Sequence, residues 1–95
     1  MVTENLIKYR IMYFVYVLQS LKDQNLYVGF TDKIERRLEE HNSGKNFSTK
    51  SRRPFKLVYY EAVPTKEEAV EREKFYKSGR GHEVLYKILF KTLAK

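Results

Sequence analysis

The sequence contains no cysteine and no tryptophan, and only four glycines and two prolines among 95 residues. Without cysteine there is neither a disulfide framework nor a thiolate metal site, a usage that fits the cytoplasm. Long apolar runs are missing too: the longest, Ile11 to Leu18, has eight residues, against the roughly 20 of a membrane helix. Glu4, Lys8 and Arg10 stand where a secretory signal needs an apolar core, which argues against export. One sign of charge is absent locally. From His41 through Tyr60 there is no acid, while Lys45, Lys50, Arg52, Arg53 and Lys56 all lie there.

What is present is enough for one fold. A 42% hydrophobic and 15% aromatic content excludes a disordered chain, and 95 residues suit a single domain spanning 1–95. The expected layout is an N-terminal arm over 1–11, a core over 12–78 and a C-terminal helix over 82–95. A net charge of +7, concentrated in the acid-free stretch, draws polyanions. The plainer alternative is a surface that is merely basic and soluble. An anionic membrane is a poorer partner, because the stretch lacks an apolar helical face.

Met12 to Gln19 is a β-branched and aromatic run, expected as a strand covered on both faces. The polar turn Leu21–Asn25 joins it to a second strand, Leu26–Phe30, as an antiparallel hairpin. Asp32, with Glu35 three residues on, predicts a capped helix over 33–43, ended by Gly44. Lys45 to Pro54 is a polar, basic loop, and Phe55 to Val63 a third strand. Thr65 and Glu68 predict a capping box for a helix running to about Ser78. Gly79-Arg80-Gly81 then breaks the chain, and a last helix from about Glu83 buries Leu85, Ile88 and Leu89. The order ββαβαα is α+β.

Two positions on the first helix stand out. With Ile34 at about 0° on a helical wheel, Leu38 falls at about 40°, His41 at about 340° and Arg37 at about 300°, while Arg36 at about 200° faces water. Arg37 and His41 therefore border the apolar stripe. In the hairpin, an odd sum of paired residue numbers puts Tyr16 and Tyr27 on one face; an even sum separates them. Gly29 then leaves open space beside both phenols, although both tyrosines also suit an ordinary sheet. On the second helix Glu73, at about 40° from Ala69, lies inside the apolar arc, whereas Glu71 at about 200° does not. A carboxylate there either pairs with a buried cation, Arg37 being the favoured partner, or holds a metal.

These residues in order carry a resemblance. Val15-Tyr16-Val17, then Tyr27-Val28-Gly29, then Arg37, His41 and Ala69-Val70-Glu71-Arg72-Glu73 resemble the GIY-YIG nuclease family. The Ser48-Thr49-Lys50…Arg52-Arg53-Pro54 loop and the Lys77-Ser78-Gly79 exit resemble its small, stand-alone bacterial members. The resemblance covers roughly Tyr13 to Ser78. It implies a three-stranded antiparallel sheet flanked by helices, and a phosphodiesterase cutting DNA with one divalent cation, Mg²⁺ or Mn²⁺. By motif position Tyr16 and Tyr27 are the paired tyrosines, Arg37 the phosphate-stabilising arginine and Glu73 the metal ligand. His41 falls where some relatives place a catalytic histidine. Two departures are visible: Phe14 replaces the first motif's glycine, and no asparagine follows Glu73.

The expected activity is a metal-dependent DNA endonuclease of low sequence specificity in repair or recombination; a non-catalytic nucleic-acid-binding domain of the same fold is the alternative. A tyrosine, Tyr16 ahead of Tyr27, is the expected base, with His41 as competitor or relay on its ordinary pKa of about 6.5. Lys45, Lys50, Arg52, Arg53 and Lys77 are the expected contacts to DNA, branched and single-stranded forms included. Five such contacts imply a log–log salt slope of roughly −3.5 to −4.5.

Overall fold

The computed structural model describes residues 12–94, so the expected arm over 1–11 lies outside the described residues. Three strands, β1 (Tyr13–Ser20), β2 (Leu26–Thr31) and β3 (Phe55–Val63), form one antiparallel sheet in the order β2-β1-β3. Helix α1 (Ile34–Ser43) follows β2, and α2 (Lys66–Lys77), α3 (Gly79–Ile88) and the short α4 (Phe90–Leu93) follow β3. A 3-10 turn, Lys50–Arg52, punctuates the basic loop. Among the described residues no helix is long and apolar enough to cross a membrane.

Strand β1 is central, and Val15 to Ser20 are all buried, as its unbroken apolar run requires. Val15 and Val17 point with Leu26 and Val28 into a core closed by Ala69, Tyr76, Leu85 and Leu89. Tyr16 and Leu18 point the other way, with Phe55, Tyr27, Leu57 and Leu38 of α1. The helices thus cover opposite faces: α1 one, α2 and α3 the other. A bulge between Val17 and Leu18 gives β3 one extra residue there. It keeps Tyr59 and Glu61 on the α2 side while Leu57 and Tyr60 face the α1 side.

Local signals held at several ends. Thr65 Oγ1 accepts the Glu68 N–H at 3.1 Å, capping α2, and Gly44, at φ 86°, ends α1 with Lys45 N–H on the Glu40 carbonyl at 3.1 Å. Others did not. Asp32 does not cap α1; its carboxylate takes Arg36 at 2.8 Å, and Lys33 occupies the cap position without a side-chain bond. The C-terminal helix starts at Gly79, not near Glu83, because Ser78 Oγ accepts the Gly81 N–H at 3.1 Å and caps it. The helix then stops at Ile88, Leu89 being followed by a separate turn, and Ile88 is 46% exposed instead of buried.

Gly81 is where α3 crosses α2 at backbone distance: a Cβ there would overlap the Phe75 carbonyl, whereas nothing lies within 4 Å of one built at Gly79. The two glycines should therefore respond oppositely. Gly81→Ala should lose at least about 2 kcal/mol of stability, and Gly79→Ala should be neutral or gain about 0.5–1 kcal/mol. Chemical denaturation of both variants reads the difference.

Candidate active site

The hairpin register decides whether the two tyrosines meet. Tyr16 pairs with Gly29 and Leu18 with Tyr27, an odd sum, so both phenols lie on the α1 face with ring centroids 6.4 Å apart. The space beside Gly29 is not open as expected but filled by the Tyr16 hydroxyl, which a Cβ there would displace. Tyr16 is 1% exposed and Tyr27 half-buried.

Helix α1 lays Arg37 and His41, one turn apart, against these rings. His41 is 0% exposed. Its Nε2 is 2.9 Å from the Tyr16 hydroxyl and its Nδ1 2.8 Å from Thr49 Oγ1. Arg37 Nε donates to the Tyr16 oxygen at 3.3 Å, and its Nη1 to Glu40 at 2.9 Å. Hydrogen-bond accounting then orients the chain. The Thr49 hydroxyl donates to the Asn46 carbonyl at 3.4 Å, so Nδ1–H donates to Thr49, and Nε2 accepts the Tyr16 proton. Tyr27 packs edge-on against the imidazole at 4.9 Å, with Phe55 closing the other side at 5.9 Å.

Glu73 comes from α2, on the far face of the sheet. Lys77 Nζ bonds its Oε2 at 3.2 Å and sits 5.7 Å from the centre of the Tyr27 ring, linking the carboxylate to the edge strand β2. The expected Arg37–Glu73 pair is not made: each takes a partner on its own helix, Arg37 with Glu40 and Glu73 with Lys77. Glu73 is nonetheless close enough that its charge acts on the Tyr16 phenol, together with those of Tyr27 and Arg37.

Burial pushes the Tyr16 hydroxyl up to about 12, partly offset by the Arg37 bond. It pulls His41 down to about 4, with Arg37 acting the same way. Hence His41 is neutral at pH 7 and does not titrate near 6.5, which corrects the expectation drawn from its ordinary pKa.

The basic loop is anchored under this cluster. Ser20 Oγ donates to the Arg52 carbonyl at 2.6 Å, and Asn42 exchanges two bonds with the Phe55 backbone, at 3.0 and 2.7 Å. Of the expected DNA contacts, Arg52 is committed to Asp23 at 2.7 Å and Lys77 to Glu73, while Arg53 Nε bonds the Lys50 carbonyl at 2.9 Å. Lys45 and Lys50 are exposed. Thr49 stands in the loop motif that carries the resemblance, but its role of orienting His41 was not legible, since the two lie eight residues apart across a loop. A second cluster was also missed. On the α2 face, Glu61 binds Arg72 at 3.0 Å and accepts from Tyr59 at 2.8 Å and from Tyr76. Burial acts against the Glu61 charge, but these three donors hold the carboxyl below its usual range.

Residues 12–85 match the GIY-YIG catalytic domain. The chain belongs to the GIY-YIG family. This is a family of nucleases, generally endonucleases. A UPF0213 protein of Bacillus licheniformis is 46% identical over 66 residues, covering 68% of this chain and 67% of its own. One from Clostridium perfringens is 39% identical over 83 residues, covering 86% and 88%. The solution NMR structure of a UPF0213 protein from Bacillus halodurans, 40% identical, aligns at a TM-score of 0.50 over 81% of this chain and 84% of that one. This GIY-YIG domain thus shares its α+β fold and three-stranded sheet with a solved relative.

The depressed His41 makes acid stability a test of the buried relay. Its folded pKa of about 4 lies below the unfolded 6.5, so the unfolded chain binds the proton first and stability falls as pH drops from 6.5 to 4. Between neutral pH and pH 5 the loss should be about 2 kcal/mol. The carboxylates contribute mainly below that window. Urea melts across it should show the slope in the wild type and a flat response in His41→Gln.

Proposed function

We propose that this chain is a metal-dependent DNA endonuclease of low sequence specificity, acting in the cytoplasm on intermediates of repair or recombination. The observation that supports the reading is the packing of Tyr16, Tyr27, Arg37 and His41 together on one face of the sheet, with Glu73 paired to Lys77, whose ammonium lies over the Tyr27 ring. They come from a hairpin and from helices on opposite faces.

Hydrolysis of a phosphodiester needs an oriented water, stabilisation of growing negative charge, and help for the leaving oxygen. Arg37 meets the second need. A guanidinium has five N–H donors, of which the described residues take two, leaving a fork for non-bridging phosphate oxygens. Tyr27, the less buried phenol, is the better placed to meet water, which reverses the sequence preference for Tyr16. A phenolate at Tyr16 would cost about 7 kcal/mol at pH 7 from its pKa of about 12. Tyr16 therefore works as a phenol: it donates to His41 Nε2, accepts from Arg37 Nε, and so fixes the guanidinium in place without itself transferring a proton.

Glu73 acts through its charge on the Tyr16 phenol and is the ligand this reading assigns; among the described residues no three acids or histidines form a metal-binding group. That donor set fits a single Mg²⁺ or Mn²⁺ keeping most of its waters and completing its shell with substrate phosphate. A positive charge already rests on Glu73 in the form of the Lys77 ammonium, 3.2 Å away. When bound, the ion would polarise the phosphate and offset charge on the leaving oxygen. The same Lys77 pairing favours the second reading, a domain that binds DNA without cutting it.

Purified protein incubated with supercoiled, branched and single-stranded DNA separates the two. Cleavage should need Mg²⁺ or Mn²⁺ and stop with chelator. Glu73→Gln and Arg37→Ala should each lower the rate by at least about a hundredfold without changing the thermal melt. Cutting that survives both substitutions contradicts the proposed site, and tight binding with no cutting under any metal selects the second reading. With Arg52 and Lys77 paired to acids, Lys45, Lys50, Arg53 and Arg37 are left for phosphate, so the salt slope should be about −3 on single strands and about −3.5 on duplex.

A further inference from the structure

Phe47 is 91% exposed, more than any other large hydrophobic side chain among the described residues. A lone exposed apolar residue is ordinary; its setting here is not. The backbone beneath it is tied down, with Thr49 N–H on the Asn46 carbonyl at 3.2 Å, Lys50 N–H on the Phe47 carbonyl at 3.4 Å and Ser48 N–H on Asn46 Oδ1 at 3.1 Å. Thr49 is buried against His41. The ring is thus held outward on an ordered loop.

Lys45, Lys50 and Arg53 flank it in the chain, in a stretch with no acid from His41 through Tyr60. An apolar ring in a purely cationic stretch matches a ligand that is polyanionic along one side and offers flat π-faces on the other. Single-stranded nucleic acid is such a ligand: cations follow the backbone and bases stack on aromatics. An intact duplex keeps its base faces stacked away. Phe47 and Thr49 are at most about 7 Å apart along the chain. Thr49 in turn is linked to Tyr16 through His41 by bonds of 2.8 and 2.9 Å. A base on this ring would lie a few nucleotides from a phosphate at Arg37.

We propose that Phe47 is a stacking platform for an unpaired base, so that the preferred substrate is DNA with a single-stranded stretch beside the cleaved phosphate. This rests on the nuclease reading for the identity of the polyanion, but not for the platform itself.

The sequence contains no tryptophan, so Phe47→Trp introduces a sole indole reporter at the ring's position. In chelator, a short single-stranded oligonucleotide should quench its emission, and the blunt duplex should not. In anisotropy titrations Phe47→Ala should weaken single-strand binding about five- to a hundredfold, change duplex binding less than about twofold and leave the thermal melt unaltered. An indole that stays bright while anisotropy reports bound single strand overturns the inference, as does an equal loss on both DNA forms or no loss on either. Cleavage by a protein whose indole is never quenched overturns the stacking platform alone. Quenching without cleavage under any metal overturns the nuclease reading alone.

Discussion

The buried imidazole of His41 is the brace on which the site depends. It joins three segments far apart in sequence, β1 through Tyr16, α1 through its own backbone and the basic loop through Thr49. A fully buried ring with two polar nitrogens is tolerated only when both are satisfied, because an orphaned one costs about 1–3 kcal/mol. That requirement fixes the tautomer, the rotation of α1 and the seat of the loop together. Arg37, one turn earlier on the same helix, is delivered to Tyr16 as a consequence. Neutrality follows from the same arrangement, since an imidazolium in this dry pocket would face the guanidinium of Arg37.

The opposite face has its own anchor, which explains how a helix on the wrong side of the sheet contributes to the cluster. Arg72 and Tyr76 on α2 both hold Glu61 of β3, and Tyr76 is buried in that core. Two contacts one turn apart fix the helix's rotation about its axis. Glu73 follows Arg72 in the chain, about 100° further around the helix, and that step turns it from β3 toward the open edge of β2. Carboxylate and guanidinium are therefore positioned by separate polar networks on separate faces, each paired on its own helix.

Much of this was legible because it follows from periodicity. Alternation along β1 and β2 restricted the tyrosines to two registers, and the helical wheel separated Arg37 from Arg36 and Glu73 from Glu71. The end points of β3 and the Thr65 cap came directly from Pro64, Thr65 and Glu68. The misreadings share a physical cause: competition settled by spatial neighbours. Asp32 could cap or pair, and Arg36 four residues on took it. Arg37 and Glu73 looked like mutual partners, but Glu40 and Lys77 lie within a turn on their own helices and need no crossing of the sheet edge. Gly79 and Gly81 signalled a break by propensity, whereas Gly81 is demanded by the Phe75 carbonyl inside a helix that Ser78 caps. The Glu61 cluster depends on the bulge after Val17, which no alternation pattern announces.

The local pairing of the working charges bears on how a substrate could enter. Arg37 and Glu40 remain about a third exposed, and Lys77 half exposed, so each bond is a surface ion pair contributing roughly 0–1 kcal/mol. A phosphate that takes the Arg37 fork competes with a weak partner, and in a drier, closer contact gains more than Glu40 supplied. The buried chain from Tyr16 to Thr49 has no such slack, being sealed from solvent on both sides of His41. The site thus divides into a rigid neutral interior, which sets geometry, and a rim of readily exchanged ion pairs, which sets access. On the proposed reading, that division lets Arg37 be exact in position through Tyr16 yet available in charge.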